Sequence, residues 1–280
     1  MAFLDWVTFH TAIFYAVGSL GTFIGLPLHQ PKVQVIGRIF TWAGFALHTI
    51  LIIMMVLGQN ADELSRGYFV QLLAWTILFI YYVGWRILKS DFLGMTAAPL
   101  GLLLLILSYK VDQSQIELPD RLKELFLVLH IGPLFASLGL LTLAAGAGLL
   151  FLHMDRKIKA KTRLSDFDRG LPALGAYDRV NSLAVIVGFP LYTIGVVAGF
   201  IWAPIAWGRD ASIFGSWDPK EIFSFFQWFL YAAIFYLRVV RGWRGRKAAL
   251  MILAIFGLAI FSFLGVNALM PTHHSFSIAL

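Results

Sequence analysis

Seven histidines and no cysteine limit the chemistry open to this 280-residue chain. Without thiols, disulfides, thiolate metal sites and CxxC redox chemistry are excluded, so metal or redox work falls to imidazole, thioether or a bound cofactor. His130 in "LFLVLHIGPLF" and His274 in "GVNALMPTHHSF" stand at the ends of two different apolar runs. Between them, "IWAPIAWGRDASIFGSW" places Trp202, Trp207 and Trp217 on one short stretch, followed by Asp218-Pro219-Lys220-Glu221. Each element has an ordinary explanation. A lone histidine at an apolar helix end is usually just hydrogen-bonded, and tryptophans line membrane interfaces. Asp218, Pro219 and Glu221 suit the N-cap, N1 and N3 positions of a helix start. The pairing of two histidines around the tryptophans favours a further use. Two neutral imidazoles can fill both axial positions of a haem iron while indoles stack on the porphyrin. Arg209, Lys220, Arg121 or Lys123 would then meet its propionates.

These residues need helices to position them. The chain is 59% hydrophobic and 13% charged, with mean hydropathy +0.79. A soluble domain would carry roughly twice that charge, so the expected class is an all-α polytopic membrane bundle forming one integral domain, 1–280. A bilayer core of about 30 Å needs about 20 apolar helical residues. Eight stretches qualify: Trp6–Leu26, Ile36–Leu57, Tyr68–Leu88, Phe92–Tyr109, Leu125–His153, Asn181–Ala203, Ile222–Arg238 and Ala248–Met270. The N-terminus has no basic region and no small-residue cleavage site, so it reads as a retained first span.

Orientation follows from the loops. With eight spans, 16 of the 22 lysines and arginines fall on one side, mostly in 156–179 and 241–247. The positive-inside rule makes that side cytoplasmic and both termini external. The net charge of +7 therefore reflects topology, not nucleic-acid binding. The 156–179 stretch reads as a solvated loop with a short amphipathic piece, and as a candidate docking site for a cytoplasmic partner. His130, His274 and the tryptophans share the outer side. His48 lies mid-span, where an ionisable group is costly and functional by default. It is either a neutral ring bonded to a tyrosine, serine or carbonyl nearby, or a haem or quinone contact. His29 and His153 read as interfacial side chains, and His10 carries a weaker signal.

From Asp178 to Phe276 the chain resembles the cytochrome c assembly family, the haem-handling membrane proteins of CcsA, ResC and HemX type. The resemblance rests on "DRVNSLAVIVGFPLYTIGVVAGFIWAPIAWG", "SWDPKEIFSFFQWFLYAAIFYLR", "RGWRGRKAA" and "FLGVNALMPTHHSF", and extends more loosely over the first 160 residues. It implies haem b held at the outer face, with His130 and His274 as axial ligands. It also implies a tryptophan motif comprising Trp207, Gly208, Trp217, Asp218, Pro219, Lys220 and Glu221. Two departures stand out. Eight residues, RDASIFGS, separate Gly208 from Trp217 and one family tryptophan is missing. Tyr236 stands where synthetase members carry a membrane-embedded histidine.

Both departures favour a HemX-type protein of the bacterial plasma membrane that holds or senses haem and regulates its biosynthesis. Its partner would be a cytoplasmic biosynthetic enzyme docked on 156–179. The alternative is the CcsA/ResC-type component of a cytochrome c synthetase, presenting haem to apocytochrome c beside a companion biogenesis protein. A solute transporter unrelated to haem ranks third, since no broken-helix substrate site stands out.

Overall fold

Small residues decide which helices touch. In lipid, helices gain little from hydrophobic exclusion and associate instead through close backbone approach and interhelical hydrogen bonds. The computed structural model describes residues 3–26, 28–58, 65–88, 91–111, 125–207 and 218–270, nearly all helical. The helices are α1 (Phe3–Gly25), α2 (Pro31–Gly58), α3 (Arg66–Leu88), α4 (Gly94–Lys110), α5 (Gly132–Lys159), α6 (Asp166–Gly170), α7 (Leu174–Trp207), α8 (Pro219–Val239), α9 (Arg246–Ile260) and α10 (Val266–Leu269). A 3-10 turn, Asp91–Leu93, leads into α4. Two π turns, Leu127–Ile131 and Phe261–Gly265, precede α5 and follow α9.

α1 and α2 meet through glycines. A Cβ added at Gly21 would lie 2.5 Å from the Gly37 Cα, and one at Gly18 would strike the Thr41 hydroxyl. α5 is the central helix, touching α3, α4, α7 and α9. Its inward positions, including Gly139, Ala144, Ala147 and Gly148, are small and buried. α8 docks on α7 through side-chain donors. The Tyr231 hydroxyl donates to the Ala184 carbonyl at 2.6 Å, Tyr192 donates to the Ser224 carbonyl, and the Trp228 indole donates to Thr193 Oγ1 at 3.0 Å. Large apolar side chains such as Phe9, Leu20, Ile39, Leu103 and Val197 point outward, as expected for surfaces that face lipid.

Among the described residues, seven helical segments are long and apolar enough to cross a membrane. The predicted fourth span appears as α4, with 17 residues and so about 26 Å of rise. It still links the two ends of the bundle. At its start the Phe92 ring packs on Tyr177, and at its finish Tyr109 lies beside Thr8 of α1. The His29 ring meets the Asp166 carbonyl, and Arg238 pairs with Asp178. The connectors after α1, α3, α5 and α8 therefore share one end, which is also where the basic residues gather.

Two boundary expectations need correction. The 156–179 stretch is not one solvated loop: α5 runs on to Lys159 and α7 begins at Leu174, so the connector holds only the five-residue α6. The predicted eighth span is not one continuous α-helix, because the π turn at Phe261–Gly265 interrupts it.

The glycine contacts predict opposite outcomes for one substitution. Gly21→Ala forces a methyl into the Gly37 backbone and should destabilise the bundle by about 1–3 kcal/mol. Gly257 has nothing within 4 Å of an added Cβ, so Gly257→Ala should raise stability by up to about 1 kcal/mol through helix propensity. Thermal unfolding of both variants in one detergent checks the pair.

Candidate functional site

His130 lies in the π turn that leads into α5. Pro133 follows closely; it has no N–H to give the Leu129 carbonyl, and its ring crowds that carbonyl. A widened turn relieves the conflict, and such turns recur at functional positions. The His130 ring rests on α7, with Nδ1 2.6 Å from the Gly195 carbonyl oxygen. A carbonyl only accepts, so Nδ1 carries the proton, and in the neutral ring the lone pair sits on Nε2. The ring is 4.9 Å from Phe126, which meets Trp202 edge-on at 6.1 Å. Trp202 is buried within this aromatic group.

The Asp-Pro-Lys-Glu segment does what helix starts require. The Lys220 N–H donates to Asp218 Oδ1 at 2.9 Å, and the Asp218 N–H donates to Glu221 Oε2 at 3.0 Å. This reciprocal box begins α8 with Pro219 at N1. Phe223, one turn on, packs its ring 5.1 Å from Phe261 of the second π turn. α5 and α8 end, and α7 and α9 begin, at the basic end. His130, Trp202, Asp218 and Met270 therefore all lie at the opposite end. Trp207 is the last residue of α7. Arg209, Trp217 and His274 lie outside the described residues, as do Arg121 and Lys123.

Other predicted positions are also placed. His48 is fully buried, with Nδ1 3.1 Å from the Tyr15 hydroxyl of α1 and Nε2 without a hydrogen-bond partner. The tyrosine it meets is Tyr15; Tyr236 is half exposed on the outside of α8. Among the described residues, the hydrogen bond of His10 stays within its own helix, to the Trp6 carbonyl at 2.8 Å. Lys220 sits at N2 of α8, partly exposed.

The basic end has a core that the sequence reading missed. Asp168 is buried, accepting from His153 Nε2 at 2.7 Å, Lys157 Nζ at 2.6 Å and the Ser165 hydroxyl and N–H. His153 is thus a partner of a buried carboxylate, not an ordinary interfacial side chain. Burial pushes the Asp168 carboxyl up, but these donors outweigh it and hold the group well below the usual carboxylate range. Nearby, Asp178 accepts from Arg238 at 2.8 Å and from the Gly245 N–H at 3.0 Å. Ser165 and Asp168 in "SDFD" form a capping box, the one sequence signal that marked this point.

The arrangement is that of a polytopic all-helical membrane protein, with imidazole and indole gathered opposite its basic connectors. The chain belongs to the family described as Cytochrome C assembly protein, whose sequence model matches residues 64–274. It is similar to proteins named cytochrome c biogenesis protein CcsA. One, from Synechocystis sp. (strain ATCC 27184 / PCC 6803 / Kazusa), is 28% identical over 288 residues, covering 81% of this chain and 84% of that protein. One from Prochlorococcus marinus (strain MIT 9312) is 26% identical over 302 residues, covering 96% of each. A third, from Synechococcus sp. (strain CC9605), is 30% identical over 230 residues, covering 73% and 74%. The similarity thus reaches well beyond the segment from Asp178 to Phe276.

The Asp168 cluster yields a prediction for the basic end. A carboxyl with a depressed folded pKa contributes stability above its unfolded value, and that stability is lost as pH falls through the folded value. The α5–α7 connector should therefore hold its fold from neutral pH down to about 4, the unfolded carboxylate range, and loosen below it; at neutral pH that fold should limit trypsin at Lys161 and Arg163. Asp168→Asn leaves charged donors unmatched and should cost about 1.5–3 kcal/mol. It should expose those sites to cleavage at neutral pH.

Proposed function

We propose that this protein acts in cytochrome c biogenesis, holding haem b at the end opposite its basic connectors and presenting it to apocytochrome c. The observation that carries the proposal is the His130 ring, whose Nδ1–H is directed into the Gly195 carbonyl. A histidine that ligates a metal commonly donates its other ring N–H to a carbonyl or carboxylate. His274 would supply the second imidazole, Trp202, Trp207 and Trp217 would flank the porphyrin, and Arg209 and Lys220 would meet its propionates. The names of the relatives support this reading. They reverse the order set by the long RDASIFGS segment and Tyr236, because nothing in them supports a HemX-type regulator or a docked biosynthetic enzyme.

Within this function the chain's own residues bind, orient and shield. The bound haem supplies two vinyl groups, and the CxxCH thiols of the apocytochrome add across them without net oxidation. Those thiols belong to the substrate, since this chain has no cysteine. His130 and His274 would hold the iron, and the aromatic group around His130 would keep water away. The capping box at Asp218 fixes where α8 begins and so where Lys220 stands. A companion biogenesis protein completes the partnership. The proposed orientation has eight crossings, both termini outside and the haem site facing the periplasm of a bacterial plasma membrane. The 16-to-6 basic split and the shared end of four connectors support it.

Two experiments check these statements. Purified with haem, the protein should show the low-spin spectrum of two imidazoles. His130→Ala or His274→Ala should turn it high-spin or lose most of the haem, while His273→Ala should change little. Low-spin spectra unchanged in both ligand variants contradict the assignment. For orientation, single cysteines are introduced as Ser165→Cys and Ser212→Cys and labelled in intact cells with an impermeant reagent. Only Ser212→Cys should label.

A further inference from the structure

The geometry points to Gly195 and Gly199 of α7 as positioning residues that set the tautomer and tilt of His130. The inference rests on the reading of His130 as an iron ligand. A neutral imidazole has two tautomers, and only one of them places the lone pair on Nε2. The 2.6 Å contact from Nδ1 to the Gly195 carbonyl selects that tautomer.

Gly199 makes the contact sterically possible. A Cβ there would lie 2.5 Å from His130 Cε1 and 2.8 Å from Nδ1, closer than real Cβ atoms come to anything. A Cβ at Gly195 would lie 2.5 Å from Leu134 Cγ and 3.1 Å from the His130 carbonyl oxygen. The i, i+4 spacing puts both glycines on one face of α7, and together they draw the start of α5 against it. The π turn at Leu127–Ile131 adds the third constraint. One residue inserted into an α-helix shifts its register by about 100°, and here the turn falls where His130 must point at Gly195. Three separate features thus converge on one ring. The consequence is chemical as well as steric: a hydrogen bond from Nδ1–H to a carbonyl raises the donor strength of Nε2 toward iron.

The test is Gly199→Ala in the full-length, haem-loaded protein, beside His130→Ala and Gly188→Ala. Gly188 is an equally tight glycine of α7, but its neighbours are Tyr231 and Ser137, away from His130. Gly199→Ala should weaken haem binding about 10–100-fold, as loss of an outer-shell partner does. It should convert part of the retained haem to high spin, and free imidazole should restore the low-spin form. Gly188→Ala should lower stability and leave the spectrum of the retained haem unchanged. If Gly199→Ala keeps wild-type affinity and spin state while His130→Ala loses them, the positioning role is wrong and the ligand assignment stands. If Gly188→Ala and Gly199→Ala change the spectrum alike, the effect is general packing and the positioning role is again wrong. If His130→Ala itself keeps the low-spin spectrum, the ligand assignment fails.

Discussion

The contact between the His130 ring and the Gly195 carbonyl joins the central helix of the bundle to its longest one. α5 touches four other helices, so its position on α7 sets the arrangement of both halves. That position requires glycine on the α7 face at the level of His130, because any side chain there would occupy the space the ring fills. The same glycine-lined approach recurs where α1 meets α2. Backbone proximity replaces hydrophobic exclusion as the organising force, as lipid demands. Several polar donors within the bundle obey a matching constraint. Tyr231, Tyr192, Trp228 and several threonines direct their hydrogens to carbonyls or hydroxyls on their own or neighbouring helices.

The two ends of the bundle use different chemistry. The basic end is held by carboxylates, with Asp168 and Asp178 each gathering cationic and neutral donors from separate elements. Those ties join α5 to α6 and α7 to α8, so the connectors are fixed relative to the helices. At the opposite end the described groups near His130 are neutral: an imidazole, Phe126, Trp202 and the glycine face of α7. A neutral, apolar surround suits a macrocycle whose iron takes two nitrogen ligands and whose charge lies at its edge. Both helices that lead to the predicted ligands carry a π turn at this end.

Much of the bundle was legible because hydropathy reports burial in lipid directly. Seven of the eight predicted spans coincide with helices long and apolar enough to cross a membrane, and the fourth with the shorter α4; the capped start at Asp218 follows from a four-residue pattern with local causes. The ends were less legible. α5 and α7 extend past their apolar runs because the basic turns at 156–159 and the polar turn at 174–180 continue the same helices. The π turns left no hydropathy signal. At the site, residue types and the external resemblance singled out His130 but not what orients it. A backbone carbonyl has no sequence signature, and Gly195 and Gly199 read as ordinary small residues until α5 is laid across them. Asp168 was missed for a related reason: its partners lie on two elements that only the fold brings together.

In the proposed function His130 gives iron its Nε2 while Nδ1 stays bound to α7. The most direct measurement is a cryo-electron-microscopy structure of the haem-loaded protein. Density for one porphyrin is expected at the end opposite the basic connectors, with its iron on His130 Nε2 and the Nδ1–Gly195 contact intact. Porphyrin density against His48, or at the tryptophan-rich end with His130 still packed on α7 and off the iron, would contradict it.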